Sequence, residues 1–151
     1  MKRYKRRLTV TCPLCPSDED TSHVWLCQSA QTQQQWSAAL YDLRFWLEEQ
    51  GTEPGLMDLL VLGLDSWRTQ GTPPSAPHET LALRQALLGW QSIFEGRPAI
   101  GWAEIQDQYF KSLGSRRTEQ RWIMQVLLKL VGIAWDLWVH RNGFLCKGIN
   151  R

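Results

Sequence analysis

Residues 116–142 read RRTEQRWIMQVLLKLVGIAWDLWVHRN, the longest stretch of helical spacing in the chain. Trp122, Val126, Leu127, Leu130, Ala134, Leu137, Trp138 and Arg141 fall on one stripe at steps of three and four, with Ile123, Val131 and Trp135 widening it. Apolar residues returning with the 3.6-residue period mark an amphipathic helix. Ser115, Thr118 and Glu119 offer capping groups at its start. Asn142 and Gly143 both tolerate the left-handed conformation and are expected to stop it. This helix is expected to be the spine of the core, with Trp138 buried in it.

The same period runs upstream. Trp102, Ile105, Tyr109, Phe110 and Leu113 mark a helix ending at Gly114. His78 to Phe94 carries another, broken by Gly96-Arg97-Pro98, and residues 56–67 a third, between Pro54 and Gly71. Gln70 to Pro77, with one Gly and three Pro, reads as a stiff, exposed loop within one domain. Residues 28–50 place Trp36, Leu40, Leu43, Trp46 and Leu47 at helical steps, and Gly51 and Pro54 close that helix. No internal repeat and no sustained heptad pattern appears. Leu8-Thr9-Val10-Thr11 alternates as a short strand does. The fold class is all-α, about five helices behind an N-terminal Cys3His zinc knuckle. Residues 1–30 form the basic arm and knuckle and 31–151 the helical domain, packed as one unit.

The knuckle rests on CPLCPSDEDTSHVWLC, residues 12–27. Cys12, Cys15, His23 and Cys27 supply three thiolates and one imidazole in the order C-x2-C-x7-H-x3-C, the donor count of a closed tetrahedral Zn2+ site. The polar turn between the pairs lets the chain double back. His23 and Cys27 share one face if they lie on a helix. A redox dithiol at Cys12 and Cys15 is the competing reading, but no βαβ pattern follows it. Cys146 stands apart near the end, a spare buried thiol.

At 151 residues, 43% hydrophobic and 21% charged, the chain has globular values and the length for one domain. Nine Trp make aromatic burial the main packing resource. Cysteine usage points to a reducing, intracellular setting, nuclear or cytoplasmic. No apolar run follows the basic start, so secretion is not expected. The most apolar part, residues 126–139, carries Lys129 and Asp136 and is shorter than a bilayer span, so no membrane role is expected.

Charge is uneven. Residues 1–7, with Lys2, Arg3, Lys5, Arg6 and Arg7, carry +5. Residues 8–115 hold five basic and thirteen acidic side chains (−8), and residues 116–151 hold seven basic and two acidic (+5). Two basic ends on an acidic middle suit an anionic partner, or ends that fold back on the middle. Arg116, Arg117 and Arg121 stand beside Trp122. Either Trp122 is exposed and stacks a base while the arginines follow phosphates, or it is core and the arginines are its solvated rim; helical spacing favours the core.

Catalytic patterns are missing: there is no Gly-rich phosphate loop, no G-x-S-x-G and no H-E-x-x-H. Asp18, Glu19 and Asp20 read as a solvated turn. His78 is expected to be exposed after its Pro-rich loop, and His140 to sit near a helix end, where it favours the dipole. A zinc ion with four protein ligands leaves no position for a reactive water. The chain is expected to be a non-enzyme.

Cys12-x-x-Cys15, the acidic Asp18-Glu19-Asp20-Thr21, Ser22-His23-Val24-Trp25-Leu26-Cys27 and the following Trp36 resemble the zinc-binding segment after the reverse transcriptase of non-LTR retrotransposons. Trp135-Asp136-Leu137-Trp138-Val139-His140-Arg141-Asn142 is similar to the W-x-x-W-x-x-R-N helix that follows that segment in many such elements. Here three residues separate His23 from Cys27, where many relatives have four. The resemblance implies a non-catalytic accessory module associated with nucleic acid, with Cys12, Cys15, His23 and Cys27 as metal ligands. It also implies the tail of a parent polyprotein or a surviving remnant, without polymerase, endonuclease or RNase H activity. The function expected is binding of RNA or DNA through the basic ends, without strong sequence preference. The alternative is a helical protein-interaction module in which zinc only staples the fold.

Overall fold

The computed structural model describes Cys27, residues 29–75 and residues 77–149, with side chains up to Arg141. Among these residues there are six helices and no strand: α1 (Ala30–Glu49), α2 (Pro54–Thr69), α3 (Glu79–Leu88), α4 (Gln91–Phe94), α5 (Gly101–Ser112) and α6 (Glu119–Ile149). The all-α expectation holds. The expected strand at residues 8–11 lies outside the described residues. The chain divides into two compact units, residues 39–133 and residues 1–38 with 134–151.

Helices α1 and α2 have local reasons to stop where they do. At the end of α1, Gly51 takes φ +73°, Thr52 N–H bonds the Leu47 carbonyl at 3.1 Å and Gly51 N–H bonds that of Glu48 at 3.0 Å. This is a Schellman closure, which satisfies carbonyls the helix leaves bare. The same closure ends α2, where Gln70 adopts φ 56° and Gly71 N–H bonds the Ser66 carbonyl at 2.8 Å. Helix α2 begins with Pro54 at its first position and Glu53 as N-cap, whose carboxylate accepts from Gly55 N–H at 3.0 Å and Leu56 N–H at 2.9 Å.

The expected single helix over residues 78–94 is two, α3 and α4. Gly89 breaks it with φ +98°, and its carbonyl is taken by Gln85 Nε2 at 2.9 Å and Ser92 Oγ at 2.7 Å. The break turns Trp90 inward against Gly63 of α2, where an added Cβ would lie 2.0 Å from the indole. Trp90 meets Trp102 of α5 edge to face, with ring centroids 6.0 Å apart. Gln85, fully buried, accepts from Trp102 Nε1–H and Ala99 N–H, both at 2.9 Å. Its amide is satisfied on both sides, as burial requires.

Leu43 and Leu47 of α1, Leu56, Leu59, Leu60 and Leu64 of α2, and Phe110 of α5 complete the core. Helix α6 adds Trp122, Val126, Leu130 and Ile133. In the second unit, Trp36 and Leu137 are buried.

The last helix departs from expectation in three ways. It does not stop at Asn142 but runs to Ile149, so His140 is interior to it and the dipole reading no longer applies. Its buried stripe runs Trp122, Val126, Leu130, Ile133, Leu137, and Trp138 is 42% exposed, Trp135 60%. Trp138 therefore is not part of the core spine. It follows Leu137, and one residue turns the helix by about 100°, enough to leave the buried face. Finally, Glu119–Arg141 is by length and composition apolar enough to cross a bilayer, a longer window than residues 126–139.

Candidate functional site

The three C-terminal arginines singled out in the sequence come together. A cleft of about 520 Å3 in the unit 39–133 is lined by Arg116, Arg117 and Arg121, with Thr118 between them. Gln50 and Gln125 also line it, and Phe110 and Trp122 close its apolar side. All three arginines are exposed, and among the described residues none pairs with a carboxylate.

Local chemistry sets this geometry. Gly114 ends α5 at φ +64° and Ser115 N–H bonds back to the Phe110 carbonyl at 2.9 Å. Ser115 Oγ then accepts from Arg117 N–H at 3.1 Å, holding the turn that carries the arginine pair. Thr118 caps α6: its carbonyl accepts from Trp122 N–H at 3.1 Å and its Oγ1 from Arg121 N–H at 3.3 Å. Arg117 lies over Gly51, so closely that a Cβ there would sit 2.6 Å from Nη1. Gly51 thus serves twice, in the left-handed turn that ends α1 and as the seat of a guanidinium.

Two buried side chains fix the loop after α1 against the cleft wall. Gln106 Nε2–H donates to the Gly51 carbonyl at 2.9 Å while its Oε1 accepts from Glu53 N–H at 2.9 Å. Trp122 Nε1–H donates to Thr52 Oγ1 at 2.9 Å across 70 residues of chain. Trp122 is 5% exposed, so it is core and not a platform for stacking bases; the arginines form its rim.

Of the other candidate residues, Lys2, Arg3, Lys5, Arg6 and Arg7 lie outside the described residues, as do Cys12, Cys15 and His23. Cys27 is buried and precedes α1 rather than lying within it. Ser29 sets that boundary, its Oγ accepting from Thr32 N–H at 3.2 Å and its carbonyl from Gln33 N–H at 2.9 Å. The expected shared face of His23 and Cys27 lies outside the described residues. Among the described residues no three His, Cys, Asp or Glu side chains gather as metal ligands do.

His78, expected to be exposed, is half-buried, with Nε2 2.6 Å from Glu53 Oε2. Gly55 makes the room, since a Cβ there would lie 2.7 Å from the imidazole. Burial pushes the Glu53 carboxyl up, but the His78 hydrogen bond, the Gly55 and Leu56 N–H groups and the imidazole charge outweigh it and hold the group below its ordinary value. The pair ties the end of the Pro-rich loop to the start of α2.

Sequence reasoning missed Gln50, Gly51 as the seat of Arg117, and Gln125; of these, Gln50 and Gln125 line the cleft. Only the turn after α1 brings Gln50 and Gly51 to the start of α6. Comparisons with protein-family models, with curated proteins and with solved structures return no match.

Proposed function

We propose that this chain is a zinc-stabilised, non-catalytic nucleic-acid-binding module, similar to the tail of a non-LTR retrotransposon reverse transcriptase. The observation that carries the reading is the cleft: three exposed arginines on one concave surface, with no carboxylate among the described residues to neutralise them. Clustered guanidinium groups bind phosphate by bidentate, charge-assisted hydrogen bonds. Two arginines on a turn and one on the helix it opens suit successive phosphates of a strand. Lys2, Arg3, Lys5, Arg6 and Arg7 add a second basic element. Cys12, Cys15, His23 and Cys27 have the donor types and order to hold Zn2+ as a staple, a role that suits the burial of Cys27. The module works inside the cell, alone or within a longer polyprotein.

The test is fluorescence anisotropy with RNA and DNA across a range of salt. Affinity should fall linearly in log salt, and Arg116→Ala, Arg117→Ala and Arg121→Ala together should weaken binding and flatten the slope by up to about three phosphate contacts. Absence of binding at low salt sinks the reading. Elemental analysis of reduced protein should find one zinc per chain.

A specific observation favours the alternative, a protein-interaction module. In the unit 39–133, Met124, Leu128 and Val131 of α6 are exposed at steps of four and three; in the other unit, Trp135 and Trp138 are exposed as a stacked pair with ring centroids 5.0 Å apart. Clustered exposed apolar side chains mark binding sites, and Trp is enriched where binding energy concentrates. If nucleic acid does not bind, these exposed side chains are the place to look.

A further inference from the structure

The cleft offers more than positive charge. Gln50, at the end of α1, and Gln125, two turns into α6, line the same cleft and are half-buried where the arginines are exposed. Among the described residues neither amide has a hydrogen-bond partner, in contrast to Gln85 and Gln106, which are satisfied at both ends. A primary amide presents a carbonyl acceptor and two N–H donors side by side. That is the pattern which pairs with the edge of a nucleobase, as glutamine does with adenine. The volume, about 520 Å3, falls within the roughly 300–1,000 Å3 of clefts that take small organic ligands.

These features separate single strands from duplexes. A duplex can lay phosphates on the arginine rim, but its bases stay stacked and paired, and their edges do not reach amides inside a concavity. A single strand can splay one base out at little cost. Phosphate and base can then be held together, with Arg117, seated over Gly51, adjoining Gln50. We propose that the cleft receives one unstacked nucleotide of single-stranded nucleic acid, its phosphate on Arg117 and Arg121 and its base edge on the amides of Gln50 and Gln125. The inference rests on the nucleic-acid reading above and deepens it.

The experiment compares the full-length chain with the Gln50→Ala/Gln125→Ala variant by fluorescence anisotropy. The probes are labelled single-stranded RNA, single-stranded DNA and a hairpin duplex of equal phosphate count. Both amides are unpartnered within the chain, so their removal should leave the thermal melt unchanged, and each single variant serves as a check if it does not. Wild type should bind single strands about tenfold tighter than duplex, as one well-placed bidentate base contact allows. The double variant should lose most of that preference while keeping its duplex affinity and its salt slope. Equal affinity for single strands and duplex, or a preference that survives loss of both amides, overturns this inference and leaves phosphate binding by the arginines standing. No binding of any probe by wild type overturns the functional reading itself, and this inference with it.

Discussion

Glu53 shows how much one side chain can hold in place. Its carboxylate caps α2 through two backbone N–H groups, its own N–H is taken by Gln106, and His78 closes on it at 2.6 Å. Because the folded carboxyl is held below its ordinary value, the ionised form favours the fold. That contribution is full above the carboxyl's unfolded-state pKa and is lost as pH falls through the folded one. Glu53→Ala should therefore lower stability by about 1–2 kcal/mol near neutral pH, the usual cost of a lost N-cap. The gap between variant and wild type should shrink on acidification through the carboxylate range. Urea melts between about pH 7 and pH 3 check this; a gap of constant size means the cap does not act through its charge. Gly55 belongs to the same arrangement, since only a residue without Cβ leaves room for the imidazole.

Helix α6 has apolar residues on two faces, and packing uses them unequally. The face of Trp122, Val126, Leu130 and Ile133 is buried, whereas that of Met124, Leu128 and Val131 is exposed. Trp122→Ala removes a buried indole and leaves Thr52 without its hydrogen-bond donor, so it should cost about 3–5 kcal/mol. Trp138→Ala, on a residue 42% exposed, should cost less than about 1 kcal/mol, in the range of surface changes. Denaturant melts of the two variants decide the matter, and similar losses would mean that both faces are buried. The periodicity of residues 116–142 established that a helix is there. It put Trp122, Val126, Leu130 and Leu137 on the inward stripe, as found, but could not exclude Trp138, because apolar residues beyond the stripe widen it without marking its edge.

Across the whole chain, the proposed zinc ligands and the arginine cleft belong to different compact units. Cys27, with the sequence positions of Cys12, Cys15 and His23, falls in residues 1–38, and every cleft residue falls within 39–133. In a chain lacking residues 1–7, Cys15→Ser should strip the metal yet leave the salt dependence of nucleic-acid binding unchanged, because the arginines keep their seat on Gly51 and Thr118. Zinc analysis and anisotropy on the same preparation test this; a slope that flattens with metal loss means the cleft depends on the knuckle. By itself the sequence determined the helical class, most helix starts and stops, and the candidacy of Arg116, Arg117 and Arg121. These depend on period, caps and glycines acting over a few residues. It also marked the break after residue 94 but not the one at Gly89, since Gly89 halts the helix only with the help of Gln85 and Ser92. That Trp135 and Trp138 of the expected stripe are left exposed, and that Gln50 and Gln125 share a cleft with the arginines, were decided only by tertiary structure. Those outcomes depend on contacts such as Trp122 to Thr52 and Gln106 to Gly51, which join residues 70 and 55 positions apart and leave no local trace in composition or period.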